Sequence, residues 1–498
     1  MHTSQRPHSL RPSHDTEAVH HPVPSNADSA PEQRRSWAVL ALALVAQILV
    51  VLDISVVNTA LPTIGDALRL SSSDLQWLVT AYLLLSGGGL LLGGRIADLL
   101  PRRRVFVTGM AVFTTSSLLS GLASTASALI GARAGQGLGA ALMTPAALSL
   151  IMTTYSGAQR ARGLALWGAV GGLGIAAGVM VGGALTTWAG WQAIFWVNVP
   201  VGVVALVIAS RILPAETTDR ARLTSFDVPG AVTVVAGLAA LMFGVAGTTT
   251  AGWASTRTIA SLLISGSLLA AFVAIERRAA RPLVPPHTWS VTSLVAGTAV
   301  MSGVTGLLVG AVFLSSIFMQ TVLGYSALQA GTGFLPLALA LVVGTHVAGH
   351  VMGHASARHL AVGGLLTTAV GATLLSTASS TASYAANLLP GLIVVGVGTG
   401  AVFVAVSASA MAGIPAQHAG MASGFLMTGH EVGAALGVAV LSAVASSAGS
   451  FTTMDGAAAA FSRGFVGVAA LAVVVALAAV LRMPTTRTTG GVGHMHMH

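Results

Sequence analysis

Of the chain's 498 residues 54% are hydrophobic and only 7% charged, where a soluble domain carries roughly 25% charged residues, so a water-soluble globular fold is excluded. Many apolar runs of about 18 residues or more, at a mean hydropathy of +0.83, instead predict an all-α polytopic membrane protein; an outer-membrane barrel would show short alternating segments. Absence of cysteine removes disulfides, thiolate metal sites and cysteine catalysis, and the net charge of +9 has to be explained by where the arginines fall.

Residues 1–36 are rich in His, Pro, Ser and charge and read as a disordered tail. The apolar run behind them is too long for a secretory signal and follows a polar arm, so it is expected to stay as a helix. Runs bounded by Arg, Pro and polar clusters then give about fourteen spans: 37–60, 75–97, 105–124, 127–152, 163–187, 193–212, 228–247, 258–275, 292–320, 333–353, 360–378, 383–408, 420–445 and 461–481. The first of these holds Asp53, in the stretch LDISVVNTALP. A carboxylate at that depth costs about 2.5 kcal/mol or more unless it is paired, hydrated or protonated, which makes Asp53 a functional candidate on physical grounds alone.

Between the second and third spans, Gly93 and Gly94 allow close helix approach, Asp98 can cap a helix or pair with an arginine, and Arg102, Arg103 and Arg104 hold the turn at the membrane face. The fourth span carries Arg133, the one basic residue well inside a run, where it needs a carboxylate or carbonyl partner. At ~1.5 Å per residue, Asp53 lies about 16 residues from the inner start of its run and Arg133 about six from the outer start of its own. Both fall in the outer half of the bilayer, so they can pair directly or through water or substrate. In the fifth span Gly174, Gly178, Gly182 and Gly183 make a groove for close packing.

The polar, Pro-punctuated connections 211–227 and 276–290 bracket two helices and leave six on either side. This suggests a tail (1–36), a six-helix bundle (37–213), an inserted pair with its loops (214–291), a second six-helix bundle (292–482) and a tail (483–498), with a cavity between the repeated halves. His346, His350 and His354 form one stripe on the tenth span, and His494, His496 and His498 end the chain, yet no carboxylate lies alongside and no metal site is assigned. Glu431, preceded by His430, sits near the middle of the thirteenth span as a second proton site, a group that binds a cation, or a buried neutral acid. There is no HExxH, no paired carboxylate and no phosphate loop, so no enzyme is expected.

All 23 basic residues are Arg, which with the abundant Ala and Gly has the look of a high-G+C bacterial genome. If the N-terminus is cytoplasmic, nineteen arginines fall on that side and three (Arg69, Arg257 and Arg463) on the other, with Arg133 in the membrane. Both termini are then cytoplasmic, and the basic charge is a topology signal rather than a nucleic-acid footprint.

The residues carry a resemblance. Gly94 through Asp98 to Arg102 and Arg103 is similar to the G-x-x-x-D-x-x-G-R-R loop of the major facilitator superfamily, with Pro101 in place of the second Gly. LDISVVNTALP, Arg133 to Gly139 (R-x-x-Q-G-x-G), Gln76-Trp77, Tyr82, and Phe226 to Gly230 resemble its fourteen-helix drug:proton antiporter branch. Gly174 to Gly183 resembles the antiporter motif G-x-x-x-G-P-x-x-G-G with Val179 in place of Pro, and Trp191 to Pro200 resembles W-R-x-I-F-x-I-N-x-P with Gln192 in place of Arg. The resemblance implies a monomeric transporter in the bacterial inner membrane, exporting a hydrophobic or cationic drug or antibiotic in exchange for protons, with the proton gradient as energy source and no cofactor. It implies proton coupling at Asp53 with Arg133, and a conformational latch at Gly94, Asp98, Arg102 and Arg103; Glu431, where the branch usually has no acid, joins the proton-coupling set on its depth alone. Helix packing falls to Gly174, Gly178, Gly182 and Gly183, and the substrate cavity to Trp77, Tyr82 and Gln136. A proton symporter or uniporter of a small metabolite on the same fold is the alternative, favoured by Val179.

Overall fold

The computed structural model describes residues 2, 26–70, 72–213, 227–279, 282–284, 288, 290–352, 354–412, 414–415, 418–449 and 453–485. Phe226, Arg281, Arg487 and the terminal histidines lie outside the described residues, as do the side chains of Gln76 and Val179. Among the described residues every regular element is helical. Among these residues thirteen spans are long and apolar enough to cross a membrane. The remaining expected one, α5 (Gly157–Ala189), is a continuous helix of 33 residues with several side chains outside the described set.

Four helices precede it: α1 (Asn26–Leu68), α2 (Ser72–Leu99), α3 (Arg102–Leu122) and α4 (Ala126–Thr154). α1 departs from expectation at both ends. It begins at Asn26, inside the stretch read as a disordered tail, and runs past Pro62 to Leu68. It stops at Arg69, whose φ of 53° is left-handed and cannot continue a helix.

The sixth run is broken into α6 (Ala193–Trp196) and α7 (Asn198–Ile212). Pro200 lies in the first turn of α7, where its missing N–H leaves no bond of that helix unmade, and Val197 at the junction keeps helical φ and ψ of −61° and −29°. The inserted pair is α8 (Val228–Ala251) and α9 (Thr256–Glu276), joined through Gly252 at φ 80°. Asp227 caps α8 by accepting from the Gly230 N–H, and Ser255 caps α9 through the Thr258 N–H.

α10 (Thr292–Thr321) follows as one long helix. The tenth run, expected at 333–353, is α12 (Leu335–Val351), with a proline in its first turn, and a short helix α11 (Ala327–Gly333) precedes it. α13 (Ala357–Leu375) precedes a π-helical turn (Tyr384–Leu388) that opens α14 (Leu389–Met411). α15 (Ala419–Ser446) and α16 (Met454–Arg482) complete the chain's helices.

α2 and α3 pack on α4, and α1 packs on α5; α12 and α13 pack on α14, and α10 and α16 pack on one another and on α15. Between these sets, α15 touches α2 and α4, and α5 touches α12 and α14. α8 packs on α9 and also on α2 and α15. The outside is apolar: Leu119, Val204, Leu263, Val370 and Leu481 are all more than half exposed, a surface suited to lipid rather than water.

Candidate functional site

The expected pair forms directly. α1 and α4 bring the Asp53 carboxylate and the Arg133 guanidinium into a buried ion pair, Arg133 Nη1 donating to Asp53 Oδ2, with each residue 2% exposed. Gln136, one turn along α4, donates from Nε2 to Asp53 Oδ1 at 2.8 Å and accepts from Arg133 Nη1 at 2.8 Å. From α3, Ser117 accepts from Gln136 Nε2 at 2.8 Å and Ser120 donates to Gln136 Oε1 at 3.2 Å. From α2, the Leu78 carbonyl accepts from Arg133 Nε at 3.3 Å, and the Tyr82 ring lies 4.4 Å from the guanidinium carbon. Every charge in the cluster is therefore hydrogen-bonded, the condition for keeping a buried pair in an apolar interior.

The sequence reading had not singled out Asn198 for this cluster. Its Nδ2 reaches Asp53 Oδ1 at 3.4 Å from the first residue of α7. The signal was there in the spacing of Asn198 and Pro200, a neutral polar group and a helix starter within one apolar run. All three side chains bound to Asp53 act as donors, as an ionised, acceptor-only carboxylate requires.

The residues proposed for a cavity do not gather in one. Tyr82 and Gln136 belong to the ion-pair cluster, with Gln136 fully buried. Trp77 stands apart, stacked on Phe243 of α8 with ring centroids 5.5 Å apart, and Arg257 covers the other ring at 4.4 Å. Glu431 also lies outside the hydrogen bonds of the cluster; its carboxylate is 3.5 Å from His430 Nδ1.

At the arginine-rich end of α2, Asp98 takes the capping role. Its two oxygens accept the backbone N–H groups of Gly420 (2.7 Å) and Met421 (2.6 Å), in the first turn of α15. A carboxylate there satisfies orphan donors and meets the positive end of the helix dipole. The approach is close because Gly94 faces α15 without a side chain: a Cβ on it would sit 2.3 Å from the Gly420 carbonyl oxygen. The arginines hold the other side of the loop. Arg102 donates to Ser149 on α4 at 3.0 Å, and Arg103 to the carbonyls of Ser210 (2.5 Å) and Leu213 (3.2 Å) at the end of α7.

The α5 glycines press on α1 around the acid. A Cβ would meet Val51 Cγ1 at 2.8 Å from Gly174, Ser55 Cβ at 2.5 Å from Gly178 and Val56 Cα at 2.9 Å from Gly182, while the Gly183 carbonyl accepts from Thr187 at 2.7 Å. On α12, His346 and His350 are exposed with ring centroids 5.2 Å apart. Among the described residues no group of three or more His, Cys, Asp or Glu could hold a metal ion.

Comparisons with known proteins agree with this architecture. The chain is 38% identical over 462 residues to the cephamycin export protein of Amycolatopsis lactamdurans, covering 92% of this chain and 94% of the relative. It is 38% identical over 435 residues to the puromycin resistance protein of Streptomyces alboniger, covering 86% and 85% of the two chains. Its fold is similar to that of the human organic anion transporter MFSD10, with a TM-score of 0.64 at 17% identity over 90% of this chain and 99% of the other. It is also similar to the proton:xylose symporter XylE, with a TM-score of 0.63 at 14% identity over 92% and 97%. A family model, Major Facilitator Superfamily, matches residues 43–438, and with a helical membrane fold of the same kind the chain belongs to that superfamily, as a transporter and not an enzyme.

Proposed function

We propose that the chain is a proton-coupled exporter of hydrophobic or cationic drugs, antibiotics among them, working by alternating access across a bacterial inner membrane with both termini in the cytoplasm. The buried Asp53–Arg133–Gln136 cluster carries the coupling half of this reading. The direction and substrate class rest on the cephamycin export and puromycin resistance proteins that the chain resembles.

In the ionised state Asp53 only accepts, and its partners only donate to it. A proton arriving on the carboxylate adds a donor where none is wanted and removes the charge that balances Arg133. The contacts of α1 with α4 and α7 loosen, and Arg133 is left to its Leu78 and Gln136 partners. Because Leu78 and Asp98 are on the same helix, separated by about 30 Å at ~1.5 Å per residue, a shift of α2 at the ion pair reaches the cap on α15. The cap would hold the state closed towards the cytoplasm, and its release would let substrate enter.

The test is proton-driven drug efflux from cells lacking their own exporters, and from everted vesicles. Asp53→Asn, present in the membrane at normal abundance, is expected to abolish uphill efflux; undiminished, protonophore-sensitive efflux in that variant would overturn the assignment.

A further inference from the structure

The chain leaving α9 doubles back on the helix it has just left. Glu276, the last residue of α9, accepts the backbone N–H of Leu283 at Oε1 (2.8 Å) and that of Val284 at Oε2 (3.0 Å). The run at 282–286 is PLVPP, and since proline has no N–H, Leu283 and Val284 carry the only two backbone donors in it. One carboxylate takes both. From α2, Arg95 Nη2 donates to the Pro282 carbonyl at 3.2 Å, so residues 282–284 form a short strap held from two helices. At the start of α8, a Cβ on Gly230 would lie 3.2 Å from Glu276 Oε1, which brings the third helix up to the same carboxylate.

The strap's side chains fill a gap that involves both sets of helices. Leu283 and Val284 are each 2% exposed, in a cluster with Leu91 of α2, Val234 and Leu238 of α8 and Phe272 of α9. Phe425 and Val432 of α15 pack against that cluster. Leu91 stands about two turns before Asp98 on α2, and Phe425 about one turn beyond Met421 on α15, so the strap lies beside the Asp98 cap. The Arg95 guanidinium joins the two, feeling both the Asp98 and the Glu276 carboxylates.

We propose that the inserted pair α8–α9 is a clamp that seats this strap, with Glu276 and Arg95 as positioning residues, and that the seated strap keeps α15 docked on α2. Bonds from a carboxylate to backbone N–H groups are charge-assisted, and both of Glu276's oxygens are used. Proline on either side of Leu283 and Val284 limits the freedom an unseated strap would gain, so seating costs little entropy. Unseating removes two apolar side chains from the cluster and leaves a cavity on the side that meets Phe425. The inference rests on the cap for which end of the molecule closes, but needs neither the proton nor the drug.

Maleimide labelling of single cysteines in everted membrane vesicles holding the full chain tests it. Leu283→Cys reports on the strap, Met421→Cys on the docking of α15, and Leu365→Cys, in the fully buried part of α13, on the fold at large. Glu276→Gln is expected to speed labelling at Leu283→Cys and Met421→Cys several-fold and to leave Leu365→Cys unchanged, and Glu276→Asp, which keeps the charge, to restore part of the protection. Unchanged labelling at Leu283→Cys or at Met421→Cys in Glu276→Gln overturns the proposal, as does equal acceleration at Leu365→Cys, the mark of a general loosening. Asp98→Asn separates this from the cap: if it leaves Met421→Cys unchanged while Glu276→Gln speeds it, the cap fails and the clamp stands.

Discussion

Asp53 and Arg133 could be found in the sequence because a charge in an apolar run is conspicuous, and because the depth of each along its span placed them at one level. Gln136, Ser117, Ser120 and Asn198 are neutral, and in a membrane helix such residues read equally well as packing. Their part in the cluster is settled by direction: Gln136 both feeds Asp53 and takes from Arg133, so it fixes the orientation of each. Gln136→Leu keeps the volume and strips these bonds, leaving two buried charges short of partners at about 1–3 kcal/mol each. The variant is expected to unfold at lower temperature in detergent and to lose transport; a wild-type melting temperature would show that the bonds contribute nothing.

Among the elements, α2 serves both ends of the molecule. It supplies Leu78 and Tyr82 to Arg133, lays Gly93 against α4 and Gly94 against α15, and ends in Asp98. α5 has a narrower task, pressing a row of glycines on the turn of α1 that carries Asp53. Since even a methyl at Gly178 would sit 2.5 Å from Ser55 Cβ, Gly178→Leu must push the helices apart, at a cost of about 1–3 kcal/mol or more. A lowered melting temperature together with lost drug resistance is expected, and resistance at wild-type level would count against the seam. The glycine spacing was legible in sequence, but the helix it would meet was not. The division of the sixth run at Val197 was not expected, because a proline in the first turn of a helix costs little and leaves the apolar run unbroken.

For the whole molecule, the Asp98 cap joins residues 322 and 323 positions apart and ties α2 to α15 with two charge-assisted bonds. Asp98→Asn keeps the shape and removes the charge, and on the latch reading the end that carries the cap is expected to open more often. The chain has no cysteine, which makes a single introduced thiol a clean reporter. A Met421→Cys variant, at a site 1% exposed, is expected to react slowly with a maleimide when Asp98 is intact and several-fold faster with Asp98→Asn. Equal rates would show that the cap does not hold this end shut.

By itself the sequence determined that the chain is a helical membrane protein, roughly where its spans fall and which charges are buried in them. Those properties follow from hydropathy along a continuous run, and hydropathy is local. Only the tertiary structure decided which partner each polar group found: Asp53 with Asn198, Asp98 with the first turn of α15, and Trp77 with Phe243 away from the ion pair. A hydrogen bond reaches about 3 Å and selects by direction, and nothing in the order of residues fixes which distant side chain will arrive within that reach.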